Sequence, residues 1–409
     1  MSVAVGLLLV EPLASQRGGH PARSLPLLAA AAAEAGRPLV LVSADGVDPE
    51  VRASLEASGA RVIAGPAMAL SIGTLLLRSG WLLASAYRLL QPRLPRRQLP
   101  YQLELVGRCL TEAGSLRLGR AAFAPGIPVT AAVLTANVTL HACAAGLARV
   151  PHVRYLHDLS RDESRTIRSV EWLFARALRR THFFCTTAAI EHGLRQRYPR
   201  VATTVQTYAM YDAGATLDEA ERERARAALR LESAPRPVAS LVGGWWQVKD
   251  VWTVVQALSQ VTHPFTLLVA GYRMDYSLLK KMQVDHRGEM KVIDRQLTAA
   301  ELRRVYAASD LTIVSRAAGG KESGVALDAV MHGVPLVISD HDDAMSRTLE
   351  GKAWARLFRQ ADPASLAQTL DAACTDPPPR PPVDATAELG MIDAARMLQR
   401  FDRSLNGVR

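Results

Sequence analysis

Residues 315–340 read SRAAGGKESGVALDAVMHGVPLVISD, a pattern that predicts a loop, then a helix, then a strand. The apolar run 311–314 just before it predicts a short buried strand, and the apolar run 336–338 predicts a second one. Ser323 stands where the helix should begin, and Gly333 stands where it should end. This segment is therefore a strand–loop–helix–strand unit of an α/β protein.

The glycine-rich loop of this segment is a candidate anion site. Backbone N–H groups at the start of a helix have no partner inside the helix, and the helix dipole is positive at that end. Ser323, Gly324 and Val325 would present such groups to a phosphate. Asp328, about one turn further on, is placed to reach a ribose hydroxyl beside it. The alternative is an ordinary strand–loop–helix with a glycine-rich turn.

Length and composition indicate the class of protein. The chain has 409 residues, of which 49% are hydrophobic and 22% charged, enough for two α/β domains of about 200 residues each. The formal net charge of +10 favours an anionic ligand, a polyanionic partner or an acidic membrane surface. Aromatic residues make up only 5%, and they do not alternate with basic residues. A nucleic-acid partner is therefore not expected.

Cysteine spacing and the N-terminal segment indicate the compartment. The four cysteines are far apart and form no CxxC pair, which indicates buried free thiols in a reducing compartment rather than a zinc site. The N-terminal segment lacks the basic residues and cleavage site of a signal peptide, and no apolar run is long enough to span a membrane. We expect a cytoplasmic protein, with a peripheral position at the inner membrane face as an alternative.

Strands alternate with helices along both halves of the chain. This order predicts the α/β class, with two Rossmann-like domains that each contain a doubly wound parallel sheet. A charged helix and two prolines mark a boundary within 205–235. We predict an N-terminal domain at 1–208, a C-terminal domain at 209–384, and a helix at 385–409 that packs back on the N-terminal domain.

Two strand ends in the first half carry candidate site residues. Gly18 and Gly19 precede His20 in the loop after the first strand. His157 and Asp158 end a later strand, and ligands of doubly wound sheets bind at such carboxyl ends. A histidine and a carboxylate at this edge can form part of a sugar-binding rim. The alternative is that both histidines are partly buried loop residues and that Asp158 caps a helix.

Residues 67–122 break the alternation of strands and helices. Two helical patterns, at 68–90 and 102–121, flank a segment at 91–100 that is rich in proline and arginine. An apolar helix beside a cationic segment is typical of a helix that lies on an anionic membrane. The alternative is a pair of core helices joined by a solvated basic loop.

The second half contains motifs in a fixed order. Gly243 and Lys249 follow its first strand, and FTLLVAGY at 265–272 is a strand that ends in glycine. ELRRVYAASD at 301–310 and DAVMHGVPLVIS at 328–339 come next. With the two tandem doubly wound halves, these motifs resemble a GT-B-type glycosyltransferase, specifically glycosyltransferase family 4 (glycosyl transferases group 1).

Two features depart from the usual pattern of that family. The family carries two glutamates eight positions apart. The second falls on Asp328, whereas Gly320 stands eight positions earlier and Glu322 six positions earlier. The arginine that usually precedes the lysine is absent, because Gly244 or Trp245 stands there. These departures concern the stereochemistry of transfer and the identity of the donor.

The resemblance implies two facing Rossmann-like domains and a nucleotide-diphosphate sugar as donor. It implies a retaining, hexosyltransferase-like enzyme (EC 2.4) that uses no metal or other cofactor. Negative charge that builds up on the departing diphosphate would be stabilised by cations and backbone N–H groups. The implied donor-binding residues are Gly243, Gly244, Lys249, Arg316, Lys321, Ser323, Gly324, Val325 and Asp328.

The catalytic residues that the resemblance implies come from both halves. Glu322 would touch the donor sugar, and His157 would contact the same sugar. In an inverting variant, His20 would deprotonate the acceptor hydroxyl. The implied acceptor-binding residues are Gly18, Gly19 and Asp158.

Three functions remain open at this point. The first is a glycosyltransferase that acts on a glycan, a lipid-linked acceptor or a small-molecule acceptor. The second is a nucleotide-sugar epimerase of the same fold, which would turn over without an acceptor. The third is a non-catalytic, glycosyltransferase-like scaffold, favoured by the altered glutamate pair. Contacts with an acceptor are expected in the variable loops at 14–23, 67–122 and 158–165.

Overall fold

The computed structural model describes residues 5–17, 19–65, 72–90, 98–136, 140–159, 165–245, 249–317, 323–341 and 343–407. Its contacts divide the chain into two compact units. Unit 1 contains Met1–Met210 and Asp393–Arg409, and unit 2 contains Tyr211–Ile392. Each unit has its own sheet and its own hydrophobic core.

Unit 1 is built on one parallel sheet. Its strands are β1 Gly6–Val10, β2 Leu39–Ser43, β3 Arg61–Ala64, β4 Val129–Val133, β5 His152–Leu156, β6 Thr181–Cys185 and β7 Ala202–Val205. They form a seven-stranded sheet in the order β3-β2-β1-β4-β5-β6-β7, and each pair of neighbours is parallel. The order reverses between β1 and β4, so the loops after these strands flank a crevice of the kind in which such sheets bind ligands.

Helices cover the sheet of unit 1. They are α1 Gly19–Glu34, α2 Pro49–Ala57, α3 Ile72–Leu90, α4 Gln98–Ala121, α5 His141–Ala148, α6 Arg165–Phe174 and α7 Ala188–Arg197, with a 3-10 helix at Ala175–Arg180. Strand β1 is apolar and fully buried, because a parallel sheet is covered on both faces. The two helical patterns of the basic region correspond to α3 and α4, which pack along each other.

Unit 2 repeats the same architecture. Its strands are β8 Val238–Val242, β9 Thr266–Gly271, β10 Met290–Asp294, β11 Leu311–Val314, β12 Leu336–Ser339 and β13 Ala355–Phe358. Its helices are α8 Glu219–Ala228, α9 Val251–Leu258, α10 Tyr276–Asp285, α11 Ala299–Ala308, α12 Gly324–Met331, α13 Asp343–Leu349, α14 Pro363–Thr375 and α15 Ala385–Glu388, with a 3-10 helix at Ala213–Ala215. The parallel sheet has the order β10-β9-β8-β11-β12-β13. The predicted α/β class with two doubly wound, Rossmann-like units is confirmed.

The end of the chain differs from the single helix that the sequence predicts from residue 385. The short helix α15 belongs to unit 2 and packs against α12, and a second helix, α16, runs from Ala394 to Asn406 in unit 1. Gly390 interrupts the helical path with a φ of 77°, a conformation that favours glycine, and Asp393 then caps α16. The predicted return of the last helix to the N-terminal unit is confirmed.

Contacts with unit 1 fix α16 in place. Asp402 accepts hydrogen bonds from the Arg37 guanidinium at 3.0 and 3.1 Å and from the Thr130 hydroxyl at 2.5 Å. Phe401 is buried, and its ring meets the Phe184 ring edge to face, with centroids 5.5 Å apart. The apolar side of α16 therefore belongs to the core of unit 1.

The structure bears on two expectations from the sequence, which concern the cysteines and a membrane-spanning helix. The cysteines are free thiols; Cys109, Cys143 and Cys185 are buried, and Cys374 is half-buried. Among the described residues, every helix is too short or too polar to cross a membrane.

Candidate functional site

Glycines at two strand ends form the base of the site in unit 2. Gly243 follows β8 with a φ of 99°, and its N–H donates to the carbonyl oxygen of Ala270 at 2.7 Å. A Cβ on Gly271 would lie only 2.3 Å from the carbonyl oxygen of Gly243. A side chain at Gly271 would therefore collide with the Gly243 turn, whereas Gly243 is favoured by its own backbone conformation.

Lys249 lies directly over this glycine turn. Its ammonium group donates a hydrogen bond to the carbonyl oxygen of Val242. A Cβ on Gly243 would stand 2.7 Å from the Lys249 Nζ and 3.7 Å from a methyl carbon of Val325. The turn after β8, the lysine and the first turn of α12 therefore meet at one point.

Arg316 is paired with Lys249 through the main chain. The two residues form an isolated antiparallel β-bridge, and the N–H of Asp250 donates to the carbonyl oxygen of Ser315 at 3.2 Å. The N–H of Arg316 donates to the Ser339 hydroxyl at 3.2 Å, so the residue after β11 is also tied to the end of β12. The pairing brings together two cations that are far apart in the sequence.

The electrostatics of this pair favour a negatively charged ligand. Burial of the ammonium group, and secondly the nearby Arg316 charge, lower the pKa of Lys249 to about 7. Both causes disfavour the charged form of the lysine while no anion is present. A bound anion would compensate both the burial of the ammonium group and the repulsion from Arg316. Titratable groups with such shifted pKa values are concentrated at functional sites.

The start of α12 supplies the backbone donors that the sequence predicts. The Ser323 hydroxyl caps the helix by accepting from the N–H of Ala326 at 3.4 Å. Gly324 and Val325 are the first helical residues, so their N–H groups have no acceptor inside the helix. Asp328 follows in the next turn, and its side chain is buried.

The structure brings together most of the predicted donor-binding residues, namely Gly243, Lys249, Arg316, Ser323, Gly324 and Val325. Gly244 is buried beside Gly243 in the same turn. Lys321 and Glu322 lie outside the described residues, as does Gly320.

In unit 1, His157 lies at the carboxyl end of β5, next to Asp158. One ring nitrogen of His157, Nε2, is 3.2 Å from the carbonyl oxygen of Leu134. The ring stacks on Tyr155 with centroids 5.7 Å apart and meets the edge of Tyr208 at 4.4 Å. These contacts hold a partly buried imidazole in one orientation at the edge where this sheet would bind ligands.

The β1–α1 connection is shorter than the sequence predicts. Gly19 and His20 are the first two residues of α1 rather than loop residues, while Gly18 and the side chain of His20 lie outside what the structure describes. A helix that begins here directs its first N–H groups toward the carboxyl edge of the sheet.

Glu11 is a candidate that sequence reasoning missed. It follows β1 directly, is fully buried, and accepts from the N–H of Leu13 at 2.8 Å and the Thr135 hydroxyl at 2.9 Å. Burial raises the pKa of this carboxyl group to about 7, although both hydrogen bonds lower it. The available signal was a carboxylate placed immediately after the first apolar strand.

Unit 1 also contains a cavity outside this arrangement. This cavity of about 1010 Å³ is lined by residues of α6, α7 and their flanking segments, including Trp172, Arg176 and Arg200. It contains none of the predicted site residues. Within the described ranges, no group of three or more histidine, cysteine or carboxylate side chains is arranged to hold a metal ion.

The glycine turn, the lysine and the helix start all lie in one part of unit 2. Residues 236–376 match the family model of the glycosyl transferases group 1. The matched residues contain β8–β13 and the whole Lys249–Arg316 site. The resemblance to group 1 glycosyltransferases that the motifs predict is confirmed for this region. No curated protein matches the chain significantly in sequence.

Several solved structures resemble this protein over nearly the whole chain. The HepE protein (Alr3699) of Anabaena, in complex with UDP, has a TM-score of 0.64 at 16% identity and covers 98% of this chain and 100% of its own. Sucrose-phosphate synthase of Thermosynechococcus elongatus has a TM-score of 0.65 at 16% identity and covers 99% and 100%. A glycosyltransferase of Rickettsia africae has a TM-score of 0.61 at 12% identity and covers 99% and 93%. At this identity the likeness establishes the fold, which is GT-B.

Proposed function

We propose that this protein is a glycosyltransferase that moves a sugar from a nucleotide-diphosphate sugar to a hydroxyl group of an acceptor. The observation that carries the proposal is the pairing of Lys249 with Arg316 over the Gly243 turn, beside the start of α12. Two cations and free backbone N–H groups at one point match the charge of a diphosphate.

The proposed chemistry requires this region to stabilise a leaving group. Negative charge builds up on the diphosphate as its bond to the sugar breaks. Lys249 and Arg316 would compensate that charge together with the N–H groups at the start of α12, so the proposal requires no metal. Asp328 would bind the ribose, and Glu322 would touch the donor sugar.

We propose retention of configuration and a role for His157 beside the donor sugar. Its ring is held by Tyr155 and Tyr208 at the carboxyl end of β5, which supports a fixed orientation toward a ligand. In an inverting reaction His20 would instead remove the proton of the acceptor hydroxyl. Gly18, Gly19 and Asp158 would contact the acceptor, which is a glycan, a lipid-linked sugar or a small molecule.

UDP is the first nucleotide whose binding should be measured. Structures of Anabaena HepE, which shares the fold, contain UDP and UDP-glucose. Thermal-shift and calorimetric titrations of UDP, GDP, dTDP, ADP and CMP, without added metal, would identify the base. A ligand that binds only the folded protein raises its melting temperature in step with affinity.

The matched variants are Lys249→Met and Lys280→Met, which remove the same charge from unit 2. Lys280 is exposed on α10. We expect one diphosphate to stabilise the wild type and Lys280→Met, and to stabilise Lys249→Met far less. Equal stabilisation of all three proteins would overturn the assignment of Lys249.

Turnover distinguishes the remaining functions. A transferase consumes its nucleotide sugar in proportion to the acceptor that it modifies, and the anomeric configuration of the product shows retention or inversion. An epimerase-like enzyme would convert the nucleotide sugar without an acceptor. Absence of nucleotide binding by the wild-type protein would instead favour a non-catalytic scaffold.

We also propose a peripheral contact between α3 and an anionic membrane. Leu75, Leu82 and Leu89 are exposed and recur every seven residues, which places them on one side of the helix. Apolar helix faces next to basic segments lie in membrane interfaces. Co-sedimentation with phosphatidylglycerol vesicles should fall in Leu82→Glu and Leu89→Glu but not in Val284→Glu, an exposed residue of unit 2. Equal sedimentation of all these proteins would contradict this contact.

A further inference from the structure

A second cavity opens at the carboxyl edge of the sheet in unit 1. It has a volume of about 710 Å³ and lies over the ends of β2 and β3. Its lining includes Ser15, Asp45, Gly46, Gly65, Trp81 and Ser85. None of the site residues predicted from the sequence lines it.

Backbone conformation keeps the floor of this cavity open. Gly46 and Gly65 have φ angles of 96° and 73°, a region that favours glycine. No atom of the residues that the structure describes lies within 4 Å of the position that a Cβ would take at either glycine. The N–H of Gly65 donates to the carbonyl oxygen of Ser43 at 2.9 Å, which fixes the two loops side by side. The described residues therefore leave room for a ligand above Gly46 and Gly65.

Trp81 forms one wall of the cavity and is presented by a firmly packed helix. Its neighbour Gly80 touches α4 so closely that a Cβ there would lie 2.3 Å from the carbonyl oxygen of Gly107. A Cβ on Gly107 would in turn lie 2.8 Å from the carbonyl oxygen of Gly80. This close crossing sets the position of α3, while Trp81 remains 38% exposed. An exposed indole on a firmly packed helix offers a flat apolar surface to a ligand.

The remaining lining contains Ala44 and Ala64 beside polar side chains that carry little charge. Asp45 is the only charged side chain among the described lining residues, and Ser15 and Ser85 add hydroxyl groups. A carboxylate accepts hydrogen bonds only, whereas a hydroxyl group both donates and accepts. The carboxylate disfavours an anionic ligand, and the polar lining disfavours a wholly apolar one. The matching ligand has hydroxyl groups around its rim and one apolar face.

We propose that this cavity binds a neutral pyranose ring of the acceptor, with the C–H face of the ring on Trp81 and its hydroxyl groups on Asp45 and the two serines. This inference rests on the proposed transferase function, because it narrows the acceptor to one that contains an uncharged sugar. Ser15 belongs to the β1–α1 connection, so the cavity adjoins the segment that leads to His20.

The test is binding of simple sugars to the full chain. Saturation-transfer NMR with the methyl glycosides of glucose, galactose, mannose and N-acetylglucosamine reports which C–H groups approach the protein. The variants are Trp81→Ala and Asp45→Asn, with Trp172→Ala as the matched control. Trp172 is 75% exposed on α6 of the same unit and does not line the cavity. Thermal melts show whether each variant is folded.

We expect at least one neutral glycoside to bind the wild type and Trp172→Ala through its ring C–H groups. Its affinity should fall by about tenfold or more in Trp81→Ala, which corresponds to about 1.4 kcal/mol. Asp45→Asn should weaken binding while the variant remains folded. Equal binding to Trp81→Ala and wild type, binding of glucuronate in preference to the neutral sugars, or no binding by the wild type would each overturn the proposal.

Nucleotide titrations separate this inference from the proposed function. If a diphosphate binds through Lys249 but no glycoside depends on Trp81, the sugar cavity is wrong and the transferase proposal stands. If a glycoside depends on Trp81 but no nucleotide binds, the cavity is a sugar site and the transferase proposal fails. In a transfer assay, Trp81→Ala should raise the KM for the acceptor and leave the KM for the donor unchanged.

Discussion

At the scale of single residues, the proposed role of Lys249 would link ligand binding to protonation. Its pKa of about 7 reflects burial and the Arg316 charge in the absence of an anion. A bound diphosphate favours the charged lysine, so the pKa rises on binding. At pH 8 the free protein holds mostly neutral Lys249, and binding must then take up a proton.

We predict an uptake close to one proton per UDP at pH 8 and much less at pH 6. Calorimetry in buffers with different ionisation enthalpies measures this number directly. In Lys249→Arg the guanidinium is charged throughout, so its uptake should be near zero. A heat of binding to the wild type that does not depend on the buffer at pH 8 would contradict the prediction.

Glu11 links the stability of unit 1 to pH. Its folded-state pKa of about 7 is above the reference value of 4.5, so the folded protein holds a proton that the unfolded chain releases. The stability contributed by this proton is present below about pH 4.5 and is lost as the pH rises through 7.

Glu11→Gln does not titrate and should therefore gain stability relative to the wild type over this range, by on the order of 2–3 kcal/mol between pH 4.5 and 8. Urea unfolding at several pH values measures the difference. The matched variant is Glu34→Gln, which makes the same change at an exposed position of α1. A constant difference between Glu11→Gln and the wild type would show that the buried carboxyl group does not titrate here.

At the scale of elements, a buried ion pair joins α4 to β5. Both Arg154 and Glu112 are buried, and they form a bidentate ion pair. One guanidinium nitrogen donates to Glu112 Oε1, and the other donates to Glu112 Oε2 at 3.0 Å. His152 on the same strand is also buried, and burial, followed by the Arg154 charge, lowers its pKa to about 3. The imidazole is neutral at physiological pH and cannot replace the carboxylate as a partner for Arg154.

We predict that Glu112→Ala lowers the free energy of unfolding of unit 1 by about 3–5 kcal/mol, because it leaves a buried guanidinium uncompensated. Combining Glu112→Leu with Arg154→Met should recover most of this loss. Glu104→Ala on the same helix removes a partly exposed contact with Arg108 and should cost less than about 1 kcal/mol. Urea unfolding of the variants tests the ranking, and equal losses for Glu112→Ala and Glu104→Ala would refute it.

The helices and strands themselves could be predicted from the sequence, whereas some contacts between them could not. Apolar runs such as 311–314, followed by Gly-containing loops, predicted the strands and helices of both units because these signals are local. The contact between Lys249 and Arg316 and the burial of Glu11 depend on strands that are distant in the sequence but adjacent in the sheet. Pattern alone therefore could not predict either one.

The break before α16 was missed for a different reason. The sequence around Gly390 is compatible with a helix that continues, and a single glycine weakens a helix without necessarily ending it. Packing decides here, because α15 lies against α12 in unit 2 while α16 lies in unit 1. The cavity beside Trp81 likewise combines α3 with loops after β1, β2 and β3, which no short motif encodes.

At the scale of the whole molecule, stability and nucleotide binding are expected to separate between the units. Asp402 holds α16 on unit 1 through Arg37 and Thr130. Asp402→Asn should lower the stability of unit 1 by about 1.5–3 kcal/mol, since hydrogen bonds between charged groups are lost. The UDP-induced shift of unit 2 should not change.

Differential scanning calorimetry with and without UDP measures both quantities in one experiment. Arg403→Ala is the matched control, because Arg403 is exposed on α16 and donates to the carbonyl oxygen of Gln399 in its own helix. A loss of UDP binding in Asp402→Asn would show that the two units do not behave independently.

The return of α16 to unit 1 also has a consequence for synthesis on the ribosome. The first unit emerges long before the helix that completes its core, because residues 211–392 are translated in between. At about 5–20 residues per second, this interval is on the order of 10–40 s. The N-terminal unit can therefore complete its core only after residues 211–392 have been synthesised. During that interval, the surface that α16 will cover is open to chaperones and to nascent neighbours.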